Sequence, residues 1–101
     1  MFINVIKTYR TIVAFCDREL VGKKFEQDSL QLDLKESFYK GEKGKQISEE
    51  EAIDSMIAFS NEDATFNIVG KKSIKAALEA GIIEKISIKT VQGIPFALTL
   101  M

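Results

Sequence analysis

Residues 66–83 constrain the fold most, because the sequence FNIVGKKSIKAALEAGII places one amphipathic helix between two glycines. Apolar side chains recur there at three- and four-residue steps: Ile74, Ala77, Leu78 and Ile82. This spacing predicts a helix with one buried face. Gly81 occupies the position where a left-handed residue ends a helix without a Cβ clash. The segment therefore predicts a helix packed against the core of the protein.

Gly70, Lys71 and Lys72, at the start of this helix, form a candidate anion site. Gly70 allows a sharp turn, so the first helix amides and the two lysine side chains are expected to converge on a phosphate. A plainer alternative stays open, in which the glycine only permits the turn and the lysines point to solvent. Each lysine would then oppose the helix dipole by about 0.3 to 1 kcal/mol.

The 101 residues are 46% apolar and 29% charged, which predicts one domain spanning residues 1–101. No apolar run reaches membrane-spanning length and no signal-peptide pattern opens the sequence, so a cytoplasmic location is expected. One cysteine excludes an intrachain disulfide, and the absence of histidine removes the usual zinc, haem and histidine-based catalytic sites. The sequence therefore favours a non-enzymatic protein with no metal and no cofactor.

Short apolar and alternating segments predict the strands. They lie at residues 2–7 and 11–16, at the alternating leucines 30, 32 and 34, and at residues 85–91 and 94–100 around a Gln92-Gly93 turn. Pro95 near the start of the last segment indicates an edge strand or a bulge.

Ser48 and Glu51 have the spacing of a capping box, which predicts that a second helix begins at this point. The element order is then ββ-β-α-α-ββ. Strands at both ends with two helices between them predict an α+β fold, in which a mainly antiparallel sheet packs against two helices.

Charge is unevenly distributed along the chain: residues 1–24 and 64–101 are net positive, whereas residues 25–63 are net negative. If the terminal thirds meet in one sheet, their cations share a surface. Lys23 and Lys24 follow Gly22, repeating the Gly-Lys-Lys turn at Gly70. The candidate anion- or RNA-binding residues are accordingly Lys23, Lys24, Gly70, Lys71 and Lys72, assisted by Arg10 and Arg18.

Cys16 ends an apolar run beside Asp17, a setting that favours a buried structural thiol over a reactive one. The acids at the start of the second helix suit its dipole and lack the spacing of a calcium loop, so no metal site is predicted there. Tyr9, Phe38 and Tyr39 lie beside expected loops and are the candidates for exposed stacking.

CDRELVGKKF, SFYKGE, NIVGKKSIKAALEAGII and QGIPFA, in this order, resemble the small archaeal family catalogued as domain of unknown function four-two-four. The resemblance covers nearly the whole chain. It implies an archaeal cytosolic protein with a compact α+β fold, and it brings no established activity. It also implies genes near translation-related genes, an association that favours work with RNA or the ribosome. Family members often carry histidine after the proline of the last motif, where this chain has Phe96, so no histidine role is carried over.

Three functions follow as expectations. The first is a non-enzymatic module that contacts RNA or a ribonucleoprotein through the two Gly-Lys-Lys turns. The second is a protein-interaction or homo-oligomerisation module that uses an uncapped sheet edge at residues 94–100. The third is a small phosphate-ligand-binding protein or enzyme that uses Cys16 or the Gly70 turn. The sequence is silent on the ligand, the partner and the oligomeric state.

Overall fold

Seven strands and three α-helices form in residues 1–99, the part of the chain that this computed structural model describes. The strands are β1 (Phe2–Lys7), β2 (Thr11–Cys16), β3 (Lys24–Gln27), β4 (Leu30–Asp33), β5 (Thr65–Val69), β6 (Lys89–Val91) and β7 (Ile94–Thr99). The α-helices are α1 (Glu36–Tyr39), α2 (Glu49–Ser60) and α3 (Lys71–Ala80), and short 3-10 turns lie at Arg18–Leu20 and Lys85–Ser87.

Five strands form one sheet in the order β1-β2-β5-β7-β6, and β3 pairs with β4 in a separate hairpin. The β2–β5 pair is parallel, whereas the other pairs are antiparallel. The predicted α+β fold with a mainly antiparallel sheet is therefore confirmed. Two strands were missed: β5, which lies at the centre of the sheet, and β3.

Each face of the sheet has its own core because strand side chains alternate between faces. On one face, Val13, Phe15, Phe66 and Ile68 pack against α2 and α3 in the larger core cluster, which confirms the predicted helix pair. On the other face, a second cluster contains Ala14, Cys16 and Val69 of the sheet together with Leu20, Leu32, Leu34 and Tyr39. The β3–β4 hairpin and α1 thus cover the side that the sequence left unassigned.

Local signals set the helix ends as predicted. The Ser48 hydroxyl accepts from the Glu51 amide at 3.1 Å, and the Glu51 carboxylate accepts from the Ser48 amide at 3.1 Å. Gly81 ends α3 with φ 75° and ψ 18°, the left-handed conformation that glycine adopts without strain.

The interpretation of Pro95 as a marker of an edge strand was wrong, because β7 lies between β5 and β6. Its pairing with β5 begins at Phe96, opposite Val69, so Pro95 lies just beyond that ladder. The Pro95 carbonyl accepts from the Gly70 amide at 2.9 Å. A proline is tolerated here because the ladder requires no amide proton from this residue. Leu100, the last residue of the predicted strand, lies outside the described residues.

Candidate functional site

The end of the sheet where β2 and β5 finish is organised by one buried carboxylate. Cys16 pairs with Val69 in the parallel register, so Asp17 and Gly70 leave the sheet side by side. Asp17 is only 3% exposed. Its carboxylate accepts from the amides of Lys72, at 3.0 Å, and Ser73, at 2.8 Å, and from the Ser73 hydroxyl at 2.7 Å. Asp17, the residue that follows β2, therefore caps α3 from a distant part of the sequence.

Gly70 allows this carboxylate to come close. Its φ is 110°, a region that residues with a side chain rarely adopt, and a Cβ placed on it would lie 2.5 Å and 2.6 Å from the two Asp17 carboxylate oxygens. The helix amides that were predicted to bind a ligand anion are thus engaged by an internal one. This corrects the role given to Gly70: it makes room for the cap.

Four of the predicted cations project from segments tied to this cap. Lys71 and Lys72 begin α3 and are exposed, and Arg18 and Lys23 are exposed in the segment that follows Asp17. The Leu20 amide donates to the Asp17 carbonyl at 3.0 Å, and the Lys23 amide donates to the Leu20 carbonyl at 3.1 Å.

Each of those turns spans at most about 7 Å between Cα atoms, so Lys23 and Lys72 lie within roughly 20 Å of each other. Within residues 1–99, Lys23, Lys71 and Lys72 form no ion pair. These three charges therefore lie on exposed side chains of segments that hydrogen bonds connect through Asp17.

Lys24 and Arg10 differ from these four. The Lys24 ammonium pairs with the Glu26 carboxylate at 3.5 Å on the surface of the β3–β4 hairpin. Arg10 lies in the β1–β2 turn, at the opposite end of β2 from Arg18. The six residues of β2 separate them by about 20 Å. The structure does not bring Arg10 to the surface that carries Lys71 and Lys72.

Cys16 is completely buried, as predicted, on the face covered by Tyr39 and Leu34. Burial, aided by the charges of Asp17 and Glu19, raises the pKa of its thiol to about 12. A thiol held protonated and out of solvent is a poor nucleophile. This geometry argues against the covalent version of the third function.

The aromatic residues that were predicted to be exposed for stacking differ in their exposure to solvent. Tyr9 is fully exposed in the β1–β2 turn, and Tyr39 is buried at 8% exposure. Tyr39 packs edge-on against Phe38, with ring centroids 4.9 Å apart. The prediction was therefore wrong for Tyr39. Tyr9 shares its turn with Arg10, at the opposite end of β2 from the capped start of α3.

A groove of about 560 Å³ lies along the outer edge of β1. Ile3, Asn4 and Val5 form one side, and residues of the loop after α1, including Lys40 and Lys43, form the other. This groove could not be predicted from the sequence because it depends on β1 being an edge strand, which follows from the strand order and not from a local pattern.

Residues 1–99 contain no group of three or more histidine, cysteine, aspartate or glutamate side chains placed to hold a metal ion. None of their helices combines the length and the apolar character needed to cross a membrane.

The protein is a small α+β domain whose mixed sheet is covered by two helices on one face and by a β-hairpin on the other. It belongs to the family described as Protein of unknown function (DUF424), which matches residues 6–100, and the resemblance noted in the sequence is thereby confirmed.

A similar solved structure is the crystal structure of an uncharacterized conserved protein from Methanopyrus kandleri. It aligns with a TM-score of 0.83 at 21% identity and covers 97% of this chain and 88% of that chain. At this identity the likeness shows the fold alone. None of the curated proteins matches this chain.

Proposed function

We propose that this protein is a non-enzymatic module that binds the phosphate backbone of RNA, alone or in a translation-related ribonucleoprotein, through Arg18, Lys23, Lys71 and Lys72. The observation that carries the proposal is that these four exposed cations project from segments joined by the Asp17 cap. An archaeal source and a cytoplasmic location belong to the same proposal, since the family resemblance implies both.

The capped helix favours an extended polyanion over a small phosphate ligand. A compact phosphate site uses converging backbone amides at a helix N-terminus. Here the amides of Lys72 and Ser73 already donate to Asp17. Side-chain cations on separate segments, which lie within roughly 20 Å of each other, suit successive phosphates of a strand instead.

Lys24 and Arg10 take lesser roles in this proposal. Lys24 shares its charge with Glu26, and exposed pairs of this kind contribute at most about 1 kcal/mol, so RNA could displace the glutamate. Arg10 contacts only an RNA long enough to reach the other end of β2.

Filter binding of a labelled single-stranded RNA of mixed sequence over a salt series tests the proposal. Four phosphate contacts predict a slope of about −3 for log K against log salt concentration. The double charge reversal Lys71→Glu with Lys72→Glu removes two contacts, so the slope should become shallower by about 1.4.

The matched control reverses the same number of charges at Lys43 and Lys45, two exposed lysines of the loop beside the β1 groove. At 0.1 M salt the screening length is about 10 Å, and three strand spacings of about 4.8 Å each separate residues 45–47 from β5, so this reversal should weaken RNA binding less than the reversal at Lys71 and Lys72. Absence of RNA retention at low salt, or equal effects of the two double variants, would refute the proposal.

A further inference from the structure

The outer edge of β1 is covered along only half of its length. β1 is a terminal strand of the sheet. At its start, the Ile3 amide donates to the Lys45 carbonyl at 3.1 Å, and the Ile47 amide donates to the Met1 carbonyl at 2.9 Å. Gln46 forms a single antiparallel bridge with Phe2. Residues 1–99 thus provide a backbone partner for the first residues of β1 and for no more of that strand.

The second half of β1 presents an open backbone edge. In an antiparallel strand, alternate residues direct their amide and carbonyl groups to the same side. Val5 and Lys7 therefore face outward like Ile3, since the Ile3 amide is the one that bonds to Lys45. Within residues 1–99, no backbone group bonds to the outward groups of Val5 or Lys7.

The groove beside this edge combines an apolar floor with a basic rim. Val5 and Phe59 are half-buried and line it together with Ile3. Three lysines of the adjoining loop, Lys40, Lys43 and Lys45, also line it, against the single carboxylate of Glu42. The Lys40 ammonium lies over the Phe2 ring, 5.5 Å from its centroid.

We propose that the β1 groove binds an extended acidic segment of a partner protein, which adds to the sheet beside Val5 as a sixth strand. The unpaired backbone groups of Val5 and Lys7 would bond to the main chain of the segment, as in other cases of strand addition. The segment would extend the short pairing of residues 45–47 with the start of β1. That pairing ends at Gly44, whose φ is 55° and where the chain turns away from β1.

Side chains of the bound segment alternate between the two faces of the sheet. Ile3 and Val5 point towards the helices, in contact with the core that α2 covers. An apolar residue of the segment would pack there against Val5 and Phe59. Acidic residues on either side of it would lie near Lys43 and Lys45, which are exposed. The recognised sequence is therefore one in which acidic and apolar residues alternate.

Charge argues against a second copy of the same chain as the occupant. Edge-to-edge pairing of two β1 strands would bring Lys7 and the basic loops of both copies together. Like charges placed opposite each other on paired strands are destabilising. A strand that carries carboxylates removes this repulsion.

The test uses a fluorescein-labelled peptide of alternating glutamate and valine, roughly seven residues long, which is an ordinary strand length. Its binding to the full chain is followed by fluorescence anisotropy. Reversal of the two rim charges, Lys43→Glu with Lys45→Glu, should weaken binding about tenfold or more. The double variant Lys71→Glu with Lys72→Glu carries the same net charge and should bind the peptide like the parent protein.

Amide hydrogen exchange identifies how the peptide binds. Strand addition should slow exchange at Val5 at least tenfold and leave α3 unchanged, because the new hydrogen bonds form only at the β1 edge. A peptide of alternating lysine and valine should neither bind nor protect Val5.

Several outcomes would overturn the proposal. They are failure of the acidic peptide to bind, binding that the rim reversal leaves unchanged, and binding without protection of Val5. Concentration-dependent dimerisation detected by light scattering, with Val5 protected in the dimer, would assign the edge to a second copy instead. The two double variants exchange roles between the RNA and peptide assays, so either proposal can fail while the other stands.

Discussion

Replacement of Asp17 by asparagine is the sharpest test of how the β2–β5 end of the sheet is built. The change preserves size and removes the charge from a carboxylate that is only 3% exposed. An asparagine carbonyl can still accept from the amide and hydroxyl of Ser73, which bond to the same carboxylate oxygen at 2.8 Å and 2.7 Å. Its NH2 group would then face the Lys72 amide, a second donor, where the carboxylate now accepts at 3.0 Å.

The expected cost follows from these three bonds. Loss of one hydrogen bond to a charged acceptor costs about 1.5–3 kcal/mol, and the other two bonds weaken when the acceptor becomes neutral. We expect the Asp17→Asn protein to lose about 3 kcal/mol of unfolding free energy. For a domain of this size, that corresponds to a decrease in Tm of roughly 12–24 °C.

Urea unfolding followed by circular dichroism gives the free energy directly, and thermal unfolding gives Tm. Asp54→Asn, an exposed carboxylate on α2, is the matched control and should change stability by no more than about 0.5 kcal/mol. An Asp17→Asn protein within about 1 kcal/mol of the parent, at an unchanged m-value, would refute the conclusion that this carboxylate caps α3.

Three further predictions use the same unfolding assays. Gly70→Ala should destabilise the protein by at least about 2 kcal/mol, because its Cβ would lie 2.5 Å from an Asp17 oxygen at a φ of 110°; a neutral effect would contradict this geometry. Ser48→Ala should cost about 1 kcal/mol through loss of the capping box, whereas replacement by aspartate should cost much less. Burial raises the pKa of both Cys16 and Tyr39 to about 12, so the folded state retains two protons that the unfolded chain releases at lower pH. Stability should therefore be full below about pH 9 and decline as pH rises towards 12, by up to about 1.4 kcal/mol per pH unit for each group, and less steeply in Cys16→Ser.

Features determined by a few neighbouring residues could be predicted from the sequence. The Ser48 box, the Gln92-Gly93 turn and the end of α3 at Gly81 each depend on contacts within one turn of chain. β5 could not be recognised in the same way. Its residues TFNIV are buried on both faces of the sheet, so they lack the alternation that marks a half-exposed strand.

Long-range contacts limited the prediction of the candidate site. The lysines of both Gly-Lys-Lys turns could be identified from residue type and position. The availability of the α3 amides to a ligand could not be predicted, because their acceptor, Asp17, lies 56 positions before Ser73 in the chain. The β1 groove depends on strand order in the same way. The edge that the sequence suggested at residues 94–100 is paired with β6 along residues 94–96 only; within residues 1–99, the outer side of residues 97–99 has no strand partner.

The parallel pairing of residues 12–16 with residues 65–69 has a consequence for synthesis on the ribosome. The β1–β2 hairpin emerges early, and its inner edge, TIVAFC, has no partner until β5 leaves the exit tunnel. During that interval the nascent chain exposes an apolar, β-prone segment of the kind that aggregates or recruits a chaperone. Stalled chains that end before residue 65 should therefore be the species most dependent on chaperones.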